Sequence, residues 1–148
     1  MTKILFVCLG NICRSPMAES VMTHLIRQRG LTGIEVASAA TSTWEIGNPV
    51  HQGTQTKLAQ MNIPLVPHRA RVMTANDGRE FDLLIGLDAA NLKDMSAIVG
   101  GAEKVHQLLE WSPNPRDIAD PWFTGNFDVT FDDIWEGCNT LLDTLAKN

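Results

Sequence analysis

The stretch Lys3-Ile4-Leu5-Phe6-Val7-Cys8-Leu9-Gly10-Asn11-Ile12-Cys13-Arg14-Ser15-Pro16 decides the fold. After Lys3 it opens with four apolar residues, β-branched and aromatic among them, the composition of a buried strand over residues 3–8. It closes on Ser15-Pro16, and Met17, Val21 and Leu25 then fall on one helical face, so a helix is expected over residues 16–29 with Gly30 as its stop. Between the two lies a short loop that holds two of the three cysteines of the chain. A cysteine at a strand-to-helix turn is a poor choice for packing and a good one for chemistry.

Working outward, strand and helix signals alternate. Residues 34–38 read as a second strand, followed by a loop with Trp44, Gly47, Asn48 and Pro49 and a helix from about Gln52 to Met61. Residues 81–87 read as a third strand, with Asp88 placed to cap the next helix. Lys104 to Leu109 is a weaker fourth strand, and Phe131, Trp135, Cys138, Leu142 and Leu145 make a helical stripe toward the end. The expected fold is α/β: an open, mostly parallel four-stranded sheet with helices on both faces and a phosphate-binding loop after the first strand. Ligands of such sheets bind beyond the carboxyl ends of the strands, where Cys8, Ser38 and Asp88 would meet.

The 148 residues suit a single domain spanning 1–148. A net charge of -5 argues against general binding to nucleic acid or to an anionic membrane. The early apolar run is too short for a membrane span, and no signal peptide is read at the start. Three cysteines, an odd number, do not make a disulfide framework and point to the reducing cytoplasm.

Cys8 and Arg14 are separated by five residues. A loop of that length can curl its N–H groups around one centre, and the helix behind it adds the positive end of its dipole. Pro16 suits the first helical turn. Arg14 offers a planar fork for two phosphate oxygens, and thiolates are favoured beside arginine and helix N-termini, which makes Cys8 the candidate nucleophile. Gly10 and Asn11 both tolerate left-handed backbone, and Ser15 could donate its hydroxyl to the thiolate. The loop is no nucleotide P-loop, because no Gly-Lys-Ser/Thr follows.

The run VCLGNICRSPMAE resembles the signature of the low-molecular-weight protein tyrosine phosphatases, and SAATSTWEIGNP, FDLLIGLDAANLKD and ADPW match segments of that family in order along the chain. The resemblance implies hydrolysis of phosphotyrosine and small aryl phosphates through a phosphocysteine, without metal or other cofactor. It implies Cys8 as nucleophile, Arg14 as phosphate fork, and Asp120 of the Asp120-Pro121 pair as general acid and then base. Alone, Asp-Pro would be only a turn signal. Asp117 is its nearest competitor and lacks the proline.

Leu9, Gly10, Asn11, Ile12, Cys13, Ser15, Trp44 and Trp122 are then the substrate-binding set, with Leu9, Ile12, Trp44 and Trp122 as walls for an aromatic ring. Trp44 could instead cover an edge of the core. Asn11, Ser15, Ser38 and His68 resemble a hydrogen-bonded set that holds the loop, His68 in a structural role. Ile12 resembles the phosphotyrosine-preferring branch, since a phosphoarginine-preferring branch carries threonine there. Cys13 has two readings, a reversible disulfide with Cys8 or a small side chain filling space; Cys138 reads as core. Implied partners are phosphotyrosine proteins, a tyrosine kinase among the candidates, with no nucleic acid, no membrane, and a monomeric state. The family often carries two tyrosines after Asp-Pro. Here Trp122 and Phe123 stand there and the chain has no tyrosine, so regulation by phosphorylation at that point is excluded.

Rival readings fit less well. Arsenate reductases that share the loop need further cysteines mid-chain, and none lies between Cys13 and Cys138. A sugar-transport phosphocarrier would leave Asp120-Pro121 unexplained. A non-catalytic phosphate-binding module would need neither thiol nor acid, and a phosphoarginine phosphatase of the same fold remains the alternative enzyme.

Overall fold

The computed structural model describes residues 1–146. Strand β1, Thr2–Cys8, is the spine of the sheet. Helix α1, Arg14–Gln28, leads to strand β2, Ile34–Ala40. Helices α2, Gln52–Gln60, and α3, Asp77–Glu80, precede strand β3, Leu83–Gly86. Helix α4, Ala89–Val99, connects to strand β4, Val105–Gln107, and to a 3-10 turn at Leu108–Trp111. Helices α5, Pro121–Thr124, and α6, Phe127–Ala146, complete the order.

The strands lie in the order β2-β1-β3-β4, and every pairing between them is parallel. Expected as mostly parallel, the sheet is wholly so. The chain leaves β1 toward one side for β2 and returns to the other side for β3, so the order reverses at the carboxyl end of β1. That reversal opens a crevice where a parallel sheet accepts its ligand.

Alternation along β1 builds two cores. Ile4, Phe6 and Cys8 face α1 and α6, together with Met17, Val21, Ile134 and Leu141. Leu5 and Val7 face the other side, with Met73, Phe81 and Met95 of α4. Ile4 to Val7 are fully buried, as a strand covered on both faces requires.

Several details differ from the sequence reading, among them the end of β2, at Ala40 rather than residue 38. Helix α1 begins at Arg14 rather than residue 16, with Pro16 still in its first turn, where an N–H has no helical acceptor to lose. Strand β3 keeps only Leu83–Gly86 of residues 81–87. Phe81 closes α3, while Leu87 donates its N–H to Asn91 and accepts from Ile118, outside the ladder. Strand β4 stops at Gln107, where Gln107 and Glu110 form a capping box for the 3-10 turn. In the α6 stripe Phe131, Cys138 and Leu142 are buried, but Trp135 sits at the rim, stacked on Phe131. The last two residues of the expected stripe region, 147 and 148, lie outside the described residues.

Candidate active site

At the carboxyl end of β1 the loop 9–13 curls around Cys8. The N–H groups of Asn11 and Ser15 donate to Sγ at 3.3 and 3.4 Å, and Ser15 Oγ lies 3.0 Å away. Asn11 adopts the left-handed conformation, φ 58°, that points its N–H inward. Gly10, which also tolerates that conformation, stays outside it.

A network of side chains stabilises this turn. Asn11 Nδ2 donates to Ser15 Oγ at 2.8 Å and to Ser38 Oγ at 3.1 Å. Ser15 Oγ accepts there, and its own proton can turn to Cys8 Sγ at 3.0 Å or to the Ala39 carbonyl at 3.4 Å. Asn11 Oδ1 accepts from the Arg71 N–H at 3.1 Å and lies 2.6 Å from His68 Nε2, which carries the proton toward an oxygen that can only accept. Ser38 in turn donates to Glu19 at 2.6 Å. Every polar atom of the Asn11 side chain is thus engaged in a residue with no exposed surface.

Burial raises the Glu19 carboxyl above its ordinary range, against the opposing pull of Ser38 and Arg71. Burial also lowers His68, with Arg71 adding to the effect. The sequence reading passed over Glu19. No periodicity singles it out, since α1 is buried without a break from Arg14 to Met22.

Arg14, only 2% exposed, is held from behind. Its Nη1 donates to Asp88 at 2.7 Å and to the Ile118 carbonyl at 2.8 Å, and Nη2 reaches Asp120 at 3.4 Å. Burial opposes its charge, but Cys8, Asp88 and Asp120 together outweigh that and raise its pKa. Asp88 was expected as a cap and at the ligand-binding edge of the sheet, with no bond to Arg14 foreseen. It does cap α4, in a capping box with Asn91, and it also anchors the arginine fork. Asp120 caps α5 by accepting the Trp122 N–H at 3.1 Å, with Pro121 as the first helical residue. Asp117 is occupied elsewhere, accepting from Ala89 and Gln107.

Above Cys8 opens a cavity of about 110 Å³. Leu9, Ile12, Trp44 and Trp122 line it as expected, joined by Gly10, Cys13, Asp120 and the unforeseen Glu45 and Phe123. Trp44 is 73% exposed and stands on the rim rather than over the core. The Asn11 side chain lies in the supporting network, as the loop-holding set implied, and it presents its main-chain N–H to Sγ, while Ser15 presents both its main-chain N–H and its hydroxyl. Cys13 lies beside the cavity with its thiol pushed up to about 12, by burial first and then by Cys8 and Asp120. Full burial likewise pushes Cys138 up. Among the described residues no cluster of His, Cys, Asp and Glu side chains is placed to hold a metal, and no helix is long and apolar enough to cross a membrane.

Residues 3–148 match the model of the family described as low molecular weight phosphotyrosine protein phosphatase. The chain belongs to that family. A family relative named low molecular weight protein-tyrosine-phosphatase PtpA, from Staphylococcus aureus (strain MRSA252), is 36% identical over 150 residues, covering 100% of this chain and 96% of that one. The crystal structure of YfkJ from Bacillus subtilis superposes with a TM-score of 0.95 at 39% identity, covering 99% of this chain and 96% of the other. Another neighbour is a Drosophila arginine phosphatase, with a TM-score of 0.91 at 29% identity and 98% of both chains covered. Family membership and fold thus agree with what the loop and its flanking segments implied.

Proposed function

We propose that this chain hydrolyses phosphotyrosine and small aryl phosphates through a covalent phosphocysteine, with Cys8, Arg14 and Asp120 as its catalytic residues. The observation that carries the reading is the convergence of three donors on Cys8 Sγ beneath an aromatic-walled cavity that Asp120 also borders.

The loop donors and the dipole of α1 stabilise the thiolate, which attacks phosphorus as the bond to the aryl oxygen breaks. The Asp120 carboxyl gives its proton to the departing oxygen. Arg14 and the loop N–H groups hold the equatorial oxygens as charge redistributes. Water then attacks phosphorus, Asp120 takes its proton, and the thiolate of Cys8 leaves. None of these steps calls for a metal.

The walls argue for an aromatic leaving group. Ile12, nearly buried at the floor, and the indoles of Trp44 and Trp122 present apolar surface to a ring. The similarity to an arginine phosphatase keeps phosphoarginine as the second reading, which Ile12 and the two indoles disfavour. Phosphotyrosine proteins, a kinase included, are the proposed partners, and Leu9, Gly10, Cys13, Ser38, His68 and Pro121 complete the proposed site. A monomer in the cytoplasm fits a chain whose most exposed aromatic side chains ring its own cavity and whose cysteines are free thiols.

Steady-state hydrolysis of p-nitrophenyl phosphate in EDTA tests the proposal. Wild type turns over, Cys8→Ser is inactive, and Asp120→Ala loses roughly 10²- to 10⁴-fold in kcat. An inert wild type under reducing conditions would reduce the loop to an anion-binding site, and loss of activity on chelation would refute the metal-free mechanism.

A further inference from the structure

His51, passed over in the sequence, joins the phosphate loop to α2, to Trp122 of α5 and to Phe127 of α6. Its main-chain N–H donates to the Ile12 carbonyl at 2.8 Å, which ties it to the phosphate loop. Its Nδ1 accepts the Gly53 N–H at 2.9 Å and so caps α2. The imidazole lies near-parallel to Phe127, 5.4 Å between centroids at 22°, and edge-on to Trp122, 5.7 Å at 82°. Phe127 opens α6, and Trp122 follows directly on Asp120-Pro121.

The brace has a rigid back and a loose front. Behind it, α2 packs so closely on Phe127 that a Cβ on Gly53 would lie 2.3 Å from the ring. Thr54 Oγ1 adds a bond to the Cys13 carbonyl at 3.1 Å. In front, Trp122 is 56% exposed and rides on a four-residue helix that has few means of fixing an indole by itself. The edge-on imidazole supplies what α5 lacks.

We infer that His51 is a positioning residue that sets Trp122 against the aryl group of the substrate, so that recognition of the ring is adjusted separately from recognition of the phosphate. The inference rests on the phosphatase reading of the site. An N-cap with no other part would affect α2 and both ligand groups alike, and the two roles of His51 can be separated by substitution. His51→Asn keeps an acceptor for Gly53 and removes the ring, whereas His51→Phe keeps a ring and removes the acceptor.

Affinities for methylphosphonate and benzylphosphonate, measured by calorimetry on wild type and both variants, decide the matter. In His51→Asn, benzylphosphonate should weaken about three- to tenfold, the scale of a lost aromatic contact, while methylphosphonate stays unchanged. In His51→Phe the ratio of the two affinities should stay at the wild-type value. Equal weakening of both ligands in His51→Asn, no change in either, or loss of the ratio in His51→Phe as well would overturn the inference. Phosphonates are not cleaved, so failure of wild type to hydrolyse p-nitrophenyl phosphate would sink the hydrolytic reading and leave this comparison legible. Failure of wild type to bind methylphosphonate would overturn both.

Discussion

Arg14 carries a positive charge in nearly dry surroundings, and its geometry is set by oxygens rather than by packing. Asp88 and the Ile118 carbonyl grip one side of the guanidinium, which aims the other toward the cavity and Asp120. Removing Asp88 outright would mix two losses, the cap of α4 and the anchor of the arginine. Asp88→Asn separates them, since asparagine caps as well as aspartate. Its thermal midpoint should stay close to wild type while kcat/KM for p-nitrophenyl phosphate falls roughly tenfold or more, the scale of a hydrogen bond between charged groups. A proportional loss of stability would show that Asp88 matters only as a cap. Ile12 allows a second test on this scale. Ile12→Thr replaces part of an apolar floor with a hydroxyl and should shift relative rates from phosphotyrosine toward phosphoarginine. Unchanged relative rates on the two substrates would remove Ile12 from the specificity assignment.

Among the elements, α6 bears the heaviest packing demand. Gly137 passes so near the 3-10 turn that a Cβ there would sit 2.5 Å from Leu108 Cγ, within a side chain that has no exposed surface. Helix propensity alone would favour Gly137→Ala by about 1 kcal/mol. Overpacking against a buried leucine costs about 1–3 kcal/mol, and the larger effect should prevail. Urea denaturation should therefore show a net loss of up to about 2 kcal/mol for Gly137→Ala, and a gain would mean that Leu108 moves aside freely. Among the helices, the four-residue ones were the ones missed. Strand β1 and α1 announce themselves by composition and period, whereas α3 and α5 have four residues each and no period to read. Asp120-Pro121 did carry the sign of a helix start, an acidic cap before a proline, though it reads equally well as a turn.

Over the whole molecule, what the sequence reveals of the site divides by distance along the chain. Cys8, Asn11, Arg14 and Ser15 share one short stretch, and their chemistry was legible from the buried strand before it, the Gly-Asn within it, the Ser-Pro helix start after it and the family signature the run resembles. Asp120 became readable through a matching segment. The anchoring of Arg14 by Asp88, the bond from Ser38 to Glu19, and the contact of His51 with Trp122 join distant positions through tertiary packing, which no local pattern encodes. Such pairs need the sheet order and the register before they can be seen.

Arg14 and Asp120 meet across 106 positions, a separation that has a consequence in time. A chain emerging from the ribosome exposes its nucleophile more than a hundred residues before its acid. Long-range contacts of this kind also form slowly, because the intervening loop must first be closed. In refolding from urea, hydrolysis of p-nitrophenyl phosphate should therefore return with the slowest phase of tryptophan fluorescence, and activity that returns ahead of it would contradict this order. A nascent or clipped chain would carry a reactive thiol without the means to turn over a phosphate, so the enzyme stays silent until α5 and α6 have docked.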